Sequence, residues 1–294
     1  MRIYHQPVMV KEVLNILQPE KGGIFVDCTT GEGGHSEALL QLMPPSSTLI
    51  CIDRDEEMLA IARERLQAFP HKIHFFQESF SQIYHLLSEL GIREVDGILF
   101  DLGISLRHIE SPERGFSFKW EGPLDMRMNR KQSLTAGDLV NKLSKRDLAN
   151  LFREYGEEPY AEKIAEAIVE ERKKGEINST RKLAEIIEKT VRRRSHIHPA
   201  TRVFMALRIA VNKELEELRQ AIPSAISLLK RGGRICVLSY HSLEDRVVKQ
   251  IFKEKKEELE ILTPKPLHPS REEIIINPSA RSAKLRAAER RERK

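Results

Sequence analysis

A glycine-rich turn directly follows an apolar run near the start of the chain. The run occupies residues 24–27, the turn reads Gly31-Glu32-Gly33-Gly34-His35-Ser36, and a helical pattern begins immediately afterwards. Glycines let the backbone approach a ligand closely, and the first N–H groups of a helix have no partner within it. A second apolar run ends at Asp53, about 20 residues beyond the turn, where a carboxylate can bind both hydroxyls of a ribose. This spacing predicts a nucleotide-binding cradle.

The turn departs from the pattern that binds dinucleotides. That pattern is G-x-G-x-x-G, whereas Ser36 stands at the position of the last glycine, and Asp27 precedes the turn. The residues fit S-adenosylmethionine better than NAD. An NAD-dependent oxidoreductase shares the cradle and stays open as an alternative, and two glycines can also serve the geometry of a turn alone.

Alternating strand and helix patterns predict the fold around the turn. Apolar runs indicate strands at residues 24–28, 48–52, 73–76, 95–101 and 234–239, and amphipathic patterns indicate helices at 34–42, 55–67 and 80–90. This alternation is typical of an α/β protein with a doubly wound sheet. Because ligands bind beyond the carboxyl ends of parallel strands, the residues at those ends should converge on one cleft: Gly31, Asp53, residues 78–80, Asp101 and residues 239–241.

The side chains at this cleft have candidate ligand roles and ordinary structural ones. Asp53 would bind the ribose, Phe80 could cover the adenine, and Asp101 could meet an amino group or orient the methyl acceptor. A phenylalanine in such a position is commonly a core residue, and an acidic residue at a strand end is commonly a helix cap.

More than a hundred residues separate the last two predicted strands, far more than one crossover helix needs. Helix start signals recur in this segment at Thr135, Ser144 and Ser179, and one long helix is expected over residues 199–219. We therefore expect an inserted all-helical domain at residues 107–212. Residues 1–106 and 213–294 would then form the domain that contains the sheet.

Composition limits the class of protein. The chain has 294 residues, of which 40% are apolar, so it can bury a large core. No apolar stretch has the length of a membrane span, and the first residues lack a signal peptide, so we expect a cytoplasmic protein with no membrane partner. Cys28, Cys51 and Cys236 show no paired ligand spacing, and we expect reduced core residues and no metal site.

Positive charge is concentrated in two clusters. The net charge is +5, and residues 281–294 contain seven Lys or Arg against two Glu. The second cluster is residues 192–194, with Arg202 close behind. Such clusters suit the phosphate backbone of nucleic acid, although a solvated helix surface is the commoner cause of a single charge run. We expect the tail beyond about Pro278 to be disordered unless RNA orders it.

Residues 111–129 are too rich in glycine, proline and aromatic residues for an ordinary helix and predict an active-site lid. Aromatic and basic side chains alternate within it: Arg114, Phe116, Phe118, Lys119, Trp120 and Arg127. This alternation suits an unstacked base beside a phosphate. The alternative is that the aromatic side chains wedge the insertion against the sheet.

A series of motifs along the chain resembles those of a known family. They are His5-Gln6-Pro7-Val8, Gly31-Glu32-Gly33-Gly34-His35-Ser36, Asp101-Leu102-Gly103-Ile104-Ser105, Arg114-Gly115-Phe116-Ser117-Phe118 with Pro123-Leu124-Asp125-Met126-Arg127-Met128, His198-Pro199-Ala200-Thr201-Arg202, Ala206-Leu207-Arg208-Ile209-Ala210-Val211-Asn212, Ser239-Tyr240-His241-Ser242-Leu243-Glu244-Asp245-Arg246 and Arg281-Ser282-Ala283-Lys284-Leu285-Arg286. The chain resembles the RsmH/MraW family over nearly its whole length. Members are bacterial methyltransferases that use S-adenosylmethionine to methylate the exocyclic N4 of a cytidine in the decoding region of 16S ribosomal RNA.

The resemblance implies a class I methyltransferase-like fold whose partner is 16S ribosomal RNA in the small ribosomal subunit. It places the contacts to S-adenosylmethionine at Gly33, Gly34, His35, Asp53, Phe80, Asp101 and His108. Candidates for orienting the amine or accepting its proton are Asp101, Ser105 and His241. Candidates for RNA contacts, on the basic and aromatic patterns above, are Arg114, Phe116, Trp120, Arg127, Arg192, Arg193, Arg194, Arg202, Arg281, Lys284 and Arg286. The inserted domain would recognise the substrate.

Three positions depart from the residues usual in that family, namely Leu106, Met205 and Ser279. The departures concern local contacts and not the reaction. Two further classes stay open as alternatives. One is a methyltransferase acting on another RNA, on DNA or on a protein amino group, and the other is a non-enzymatic RNA-binding or assembly factor.

Overall fold

A computed structural model describes residues 6–191 and 198–292 of the chain. The chain divides into two compact units. The second unit comprises Ile104–Glu214, and the first comprises the described residues on either side of it. From the sequence, we expect the inserted domain at residues 107–212.

The first unit contains one seven-stranded sheet. Its strands are β1 (Ile24–Asp27), β2 (Thr48–Asp53), β3 (Lys72–Gln77), β4 (Val95–Asp101), β5 (Leu229–Ser239), β6 (Leu259–Ile261) and β7 (Lys284–Arg290). They lie in the order β3-β2-β1-β4-β5-β7-β6, with β1 to β5 parallel and β7 antiparallel to both of its neighbours. The predicted doubly wound α/β sheet is confirmed.

The α-helices occur in both units. They are α1 (Val10–Leu17), α2 (Gly34–Leu42), α3 (Glu56–Leu66), α4 (Ile83–Glu89), α5 (Leu106–Glu110), α6 (Ala136–Lys142), α7 (Lys145–Gly156), α8 (Ala161–Arg172), α9 (Thr180–Thr190), α10 (Thr201–Asn212), α11 (Glu214–Leu228), α12 (Ser242–Glu254) and α13 (Arg271–Ile276). Helices α5 to α10 belong to the second unit. Among the described residues, no helix is both long and apolar enough to cross a membrane.

Apolar runs without alternation form the centre of the sheet. In β2, Leu49, Ile50, Cys51 and Ile52 are all fully buried. Strands of a parallel sheet are covered on both faces, which is why such runs read as continuously apolar. All three cysteines are buried and carry free thiols, in keeping with the core positions expected for them.

The C-terminal segment is part of the sheet, which corrects the expectation of a disordered tail beyond Pro278. Strand β7 pairs with β5 on one side and with β6 on the other. Leu285, Ala287 and Ala288 of this strand are fully buried. Apolar burial and two rows of backbone hydrogen bonds therefore order a segment whose charge indicated a tail.

Several charged side chains of this segment have partners within the fold. Arg286 Nε donates to Asp245 Oδ1 at 2.6 Å, and Arg234 of β5 pairs with Glu289 of β7 at 2.7 Å. Arg290 donates to three backbone carbonyl groups at the end of α11 and the start of β5. These partners are distant in sequence, so the run of basic residues alone wrongly predicts a solvent-exposed tail.

The second unit is helical, as the sequence predicts for the inserted domain. Its helices surround an apolar cluster that includes Phe152 and Leu207. Thr135, Ser144 and Ser179 cap α6, α7 and α9, each accepting a hydrogen bond from a backbone N–H of the first turn. Each of these three residues marks the start of a helix, as predicted.

The expected single helix over residues 199–219 is two helices. Lys213 has a left-handed φ of 50°, which ends α10, and α11 begins directly after it. The Asn212 side chain donates to the carbonyl of Met126 and accepts from the N–H of Met128, both at 2.8 Å. Contacts with a distant loop accompany this break, and helical periodicity does not reveal it.

Replacing Leu285 with alanine should destabilise the first unit, because this side chain is fully buried in β7. A buried leucine-to-alanine change costs about 2–5 kcal/mol in free energy of unfolding. Urea denaturation would measure the change, with Arg281→Ala as a control at an exposed position of the same segment. Equal stability of the two variants would contradict the placement of β7 in the sheet.

Candidate functional site

The turn after β1 depends on glycine for two different reasons. Gly31 and Gly33 have φ of 53° and 82°, which side chains rarely allow. A Cβ on Gly33 would lie 3.3 Å from the Cβ of Ala62 in α3, whereas one on Gly31 would meet only the Thr29 carbonyl at 3.9 Å. Gly33 therefore fits the turn against α3, and Gly31 leaves the backbone open to a ligand. Helix α2 begins at Gly34, so its first N–H groups lie at the same place.

Asp53 at the end of β2 is hydrogen-bonded to this turn. Its Oδ2 accepts from the N–H of Gly31 at 2.7 Å, and its Oδ1 accepts from the N–H of Asp55 at 2.9 Å. These bonds orient the carboxylate beside the glycine backbone. The sequence spacing predicts this neighbourhood, and the structure brings the two residues together.

Asp101 at the end of β4 is held by donors from separate segments. Its Oδ1 accepts from the Tyr240 hydroxyl at 2.8 Å, and its Oδ2 lies 3.4 Å from Nδ1 of His35. Its own N–H donates to Thr29 Oγ1 at 2.6 Å. Burial would raise the pKa of Asp101, but the hydrogen bond and charge of His35, with help from Tyr240 and the Gly103 N–H, hold that pKa below its usual range.

His35 is buried between two groups that can only accept hydrogen bonds. Its Nε2 lies 2.9 Å from the carbonyl oxygen of Val8, and its Nδ1 faces the Asp101 carboxylate. Both ring nitrogens must therefore donate, which requires the protonated imidazolium. Burial would lower the pKa of His35, but the hydrogen bond and charge of Asp101 outweigh it and raise that pKa. The site thus contains a buried positive charge.

Asp27 at the end of β1 is a second buried carboxyl group in this cluster. It accepts from the Ser36 hydroxyl at 2.7 Å and from the N–H of Thr29 at 3.2 Å. Burial raises the pKa of Asp27 to about 6, and the hydrogen bond from Ser36 and the charge of His35 reduce the effect. Two carboxyl groups near one imidazolium therefore have pKa values shifted in opposite directions.

Phe80 is fixed by an aromatic and a cationic neighbour. Its ring lies 5.5 Å from the Phe100 ring at an interplanar angle of 82°, and the Arg54 guanidinium lies over it at 5.6 Å from the centroid. Arg54 Nη2 donates to Ser79 Oγ at 3.3 Å and lies 3.2 Å from Glu217 Oε2. The predicted adenine contact therefore has a defined orientation.

The sequence analysis places Tyr240 at the cleft within residues 239–241 but gives it no role, and it does not include Arg54. Arg54 directly follows Asp53, and position alone gave it no role. A Cβ on Gly103 would lie 2.8 Å from the Tyr240 ring, so the glycine after β4 admits the tyrosine that reaches Asp101. A glycine two residues beyond a strand-end aspartate was the available signal.

The two other predicted catalytic residues both cap helices. Ser105 lies in the second unit, where its Oγ accepts from the N–H of Arg107 at 3.1 Å. His241 Nδ1 accepts from the N–H of Glu244 at 3.4 Å, and the Glu244 carboxylate accepts from the N–H of His241 in return. This capping box at the start of α12 gives His241 a structural role that its sequence motif did not indicate.

The loop of the second unit corrects three of the RNA-contact predictions. Arg114 is buried and donates to the carbonyl groups of Arg127 and Met128, both at 3.1 Å. Arg127 itself forms two 2.8 Å hydrogen bonds with Asp125. Phe116 is buried in the core of the second unit. These side chains hold the loop together, so their surfaces are already occupied within it.

The other predicted residues of the second unit differ in exposure. His108, expected at the cofactor, is buried, with its ring 5.0 Å from that of Phe116. Trp120 is 57% exposed. Arg202 is exposed and donates to the carbonyl of Glu157 at 3.0 Å. Residues 192–194, expected to bind RNA, lie outside the described part of the chain.

The C-terminal candidates divide in the same way. Arg281 is exposed. Lys284 is partly exposed, with its Nζ 3.7 Å from Asp245 Oδ2. Arg286 is buried and bonded to the same carboxylate, which corrects its assignment as an RNA contact. Only the first two present charge to solvent.

Replacing Asp27 with asparagine should change how stability depends on pH. A folded pKa of about 6 against an ordinary 3.8 means that the folded protein holds this proton more tightly. Asp27 therefore lowers stability as the pH rises from about 4 to about 6, by about 1.36 kcal/mol per pKa unit and so by on the order of 3 kcal/mol. The Asp27→Asn variant should not lose stability over this pH range. Urea denaturation between about pH 4 and pH 6 would measure the free energy of unfolding of the variant and of the wild-type protein. Parallel pH profiles would contradict the burial of an ionisable Asp27.

Comparison with known proteins gives matches over the full length of the chain. The model of a family described as the MraW methylase family matches residues 2–291. Ribosomal RNA small subunit methyltransferase H of Trichlorobacter lovleyi is 46% identical over 307 residues, covering 98% of each chain. The protein of the same name from Persephonella marina is 47% identical over 293 residues, covering 98% of this chain and 99% of its own.

Solved structures resemble the chain at low identity. The crystal structure described as a putative rRNA-methylase from Clostridium thermocellum covers 98% of this chain and 100% of its own, with a TM-score of 0.48 and 11% identity. The family match, in contrast, includes both compact units and the glycine turn, and the fold is class I methyltransferase-like. The chain belongs to the MraW methylase family.

Proposed function

We propose that the protein transfers a methyl group from S-adenosylmethionine to the exocyclic N4 of a cytidine in the decoding region of 16S ribosomal RNA. The observation that carries the proposal is the ionised carboxylate of Asp101 at the end of β4, which Tyr240 and His35 hold in place. The backbone N–H of Asp101 donates to Thr29, which lies between β1 and the glycine turn. The names of the two relatives support RNA of the small ribosomal subunit as the substrate. A cytoplasmic location follows from that substrate.

The residues of the first unit fit S-adenosylmethionine. The backbone at Gly31 is open to a ligand, and Asp53 is oriented for a ribose. Phe80 offers an aromatic surface for the adenine, and Asp101 a negative charge for the amino group. The bound cofactor would supply a methyl group on a positively charged sulfur. His108 stays in this set through the family resemblance.

The chain's own contribution to the reaction is chiefly alignment. The N4 lone pair of cytosine is delocalised into the ring, so the amine is a weak nucleophile and its placement supplies much of the rate. A carboxylate with a lowered pKa is a weak base, so Asp101 acts through charge and position. Ser105 and His241 stay candidates for orienting the amine or accepting its proton, and each also caps a helix.

RNA binding would involve both units. We assign substrate recognition to the inserted unit, with Trp120, Arg202 and residues 192–194 as its candidate contacts, and add Arg281 and Lys284 from the C-terminal segment. The target base must be unpaired or drawn out of its stack before it can meet the methyl group. Affinity should fall steeply with salt, since each neutralised phosphate releases counterions.

Methylation of small ribosomal subunits that lack this modification should place the label on cytidine. The protein would be incubated with these subunits and radiolabelled S-adenosylmethionine, and the RNA would then be digested to nucleosides. N4-methylated cytidine is the expected product.

The control is the variant Asp101→Asn, which keeps the shape of the side chain and removes the charge that His35 and the proposed cofactor amino group need. Its rate should fall sharply. Label on another nucleoside would move the proposal to a different RNA position. The absence of label in any RNA, with cofactor binding intact, would favour a DNA or protein acceptor.

Tyr240→Phe should weaken cofactor binding without abolishing the reaction. The variant loses one hydrogen bond to an ionised carboxylate, of about 1.5–3 kcal/mol, which corresponds to about a 10- to 150-fold rise in KM for S-adenosylmethionine. The pKa of Asp101 should rise as well. As the pH is lowered, the variant should therefore lose cofactor binding at a higher pH than the wild-type protein does. Steady-state kinetics across pH would measure both effects.

Tyr84→Phe is the matched control, because Tyr84 is an exposed tyrosine of α4. It should leave KM and the pH profile unchanged. A decrease of kcat alone in Tyr240→Phe would contradict the role of Tyr240 in positioning Asp101.

A further inference from the structure

The loop that carries Trp120 is held rigid by its own backbone. A Cβ on Gly115 would overlap the carbonyl of Pro123, and a Cβ on Gly122 would overlap the carbonyl of Pro112. The two ends of the loop therefore touch, and each contact requires glycine. The residues between these glycines are closed into a compact loop rather than a mobile one.

Thr180 at the start of α9 fastens this loop to the helical unit. Its hydroxyl donates to the carbonyl of Trp120 at 2.8 Å and accepts from the N–H of Gly122 at 3.0 Å. Its own N–H donates to the carbonyl of Gly122 at 2.9 Å. The backbone on both sides of Glu121 is thus fixed to a buried residue, and the position of the indole is set by the fold.

The three aromatic side chains of the loop have different environments. Phe116 is buried in the core of the unit, and Phe118 stacks on His198 at 4.3 Å and contacts Phe204 at 5.0 Å. Trp120 is 57% exposed and is the only tryptophan of the chain. The indole is exposed to water beside a buried Phe116 and a partly buried Phe118, so its ring is available to stack on a partner.

The charges next to the indole are predominantly positive. Lys119 precedes Trp120, and Arg181 and Lys182 follow Thr180, whereas Glu121 is the carboxylate of the loop beside them. Within residues 6–191 and 198–292, neither Lys119 nor Arg181 has a carboxylate partner. The N-terminus of the eleven-residue α9 adds positive potential at the same place.

Several exposed cations on the helices of this unit are paired with carboxylates, unlike Lys119 and Arg181. The exposed pairs on its helices are Lys142 with Asp138, Lys145 with Glu166, Arg153 with Glu162, Lys173 with Glu170 and Lys174 with Glu171. An exposed aromatic ring beside unneutralised cations is the combination that binds single-stranded nucleic acid, because the ring stacks on a base and the cations bind phosphates.

We propose that Trp120 is a stacking platform for an unpaired base of the substrate RNA, with Lys119 and Arg181 bound to the adjoining phosphates. The proposal deepens the proposed function and rests on it for the identity of the RNA. The platform lies on a loop of the second unit that includes none of the residues assigned to the cofactor. Its loss should therefore change RNA binding and leave cofactor binding intact.

The single tryptophan makes the test specific, since all indole fluorescence comes from Trp120. The probe is a short single-stranded RNA oligonucleotide containing cytidine, compared with the fully paired duplex of the same sequence. Stacking should quench the fluorescence of the wild-type protein with the single strand and not with the duplex. Binding of a labelled copy of the same RNA would be followed by fluorescence anisotropy in the variants.

Trp120→Ala should weaken binding of the single strand about 5- to 150-fold, the range measured for base–aromatic stacking. Trp120→Phe should retain most of the affinity, because the phenyl ring can still stack. Tyr84→Ala removes an aromatic ring of matching exposure from the first unit and should have no effect. An unchanged thermal unfolding midpoint would show that each variant is folded.

Unchanged fluorescence at saturating RNA would overturn the platform, and so would equal RNA affinity of Trp120→Ala and wild type. Equal quenching by the duplex would overturn it too, since a paired base offers no open surface. In methylation assays the variant should raise KM for RNA and leave KM for S-adenosylmethionine unchanged. If quenching occurs but no RNA is methylated, the proposed function fails while the platform stands.

Discussion

The edge of the first unit's sheet where the parallel strands end depends on one partly buried carboxylate. Asp101 ends β4, accepts from Tyr240 just after β5, faces His35 of α2, and donates its own N–H to Thr29 just after β1. Segments that are distant in sequence meet at this side chain, so its hydrogen bonds fix the relative position of the strand ends. Removing one partner of a fully buried ion pair costs about 3–5 kcal/mol, because the other charge is left without compensation. The cost is smaller here, since the Asp101 side chain is 21% exposed.

The protonation states of Asp27, His35 and Asp101 depend on one another. His35 lies between two acceptors and is therefore positive, and its bond to Asp101 keeps that carboxylate ionised. Asp27 accepts a hydrogen bond from the neutral Ser36 hydroxyl and not from a charged donor, and burial raises its pKa to about 6. An ionised Asp27 adds a second negative charge beside Asp101 and the single imidazolium of His35. The excess negative charge favours a cationic ligand at this edge, which agrees with a cofactor that carries a sulfonium and an amino group.

Features that depend on short-range patterns could be predicted from the sequence, and features that depend on distant partners could not. The glycine turn and Asp53 follow from apolar runs, a spacing and the rule that parallel strands end at one edge. Strand β7 was missed because its charges are neutralised by Asp245 and Arg234, which lie 41 and 55 residues away. The role of Tyr240 was missed for the same reason, since its contact with Asp101 joins residues 139 positions apart.

Charge counting also overestimates an RNA surface when basic side chains serve the fold. Arg114 and Arg127 bind backbone carbonyls and Asp125, and so they stiffen the loop that presents Trp120. The internal arginines thus act on RNA binding indirectly. A loop already ordered by its own hydrogen bonds loses little conformational entropy when a ligand arrives, so more of the stacking free energy remains as affinity. In the proposed RNA complex, Arg114, Arg127 and the exposed indole therefore act together, because the loop is ordered before the RNA binds.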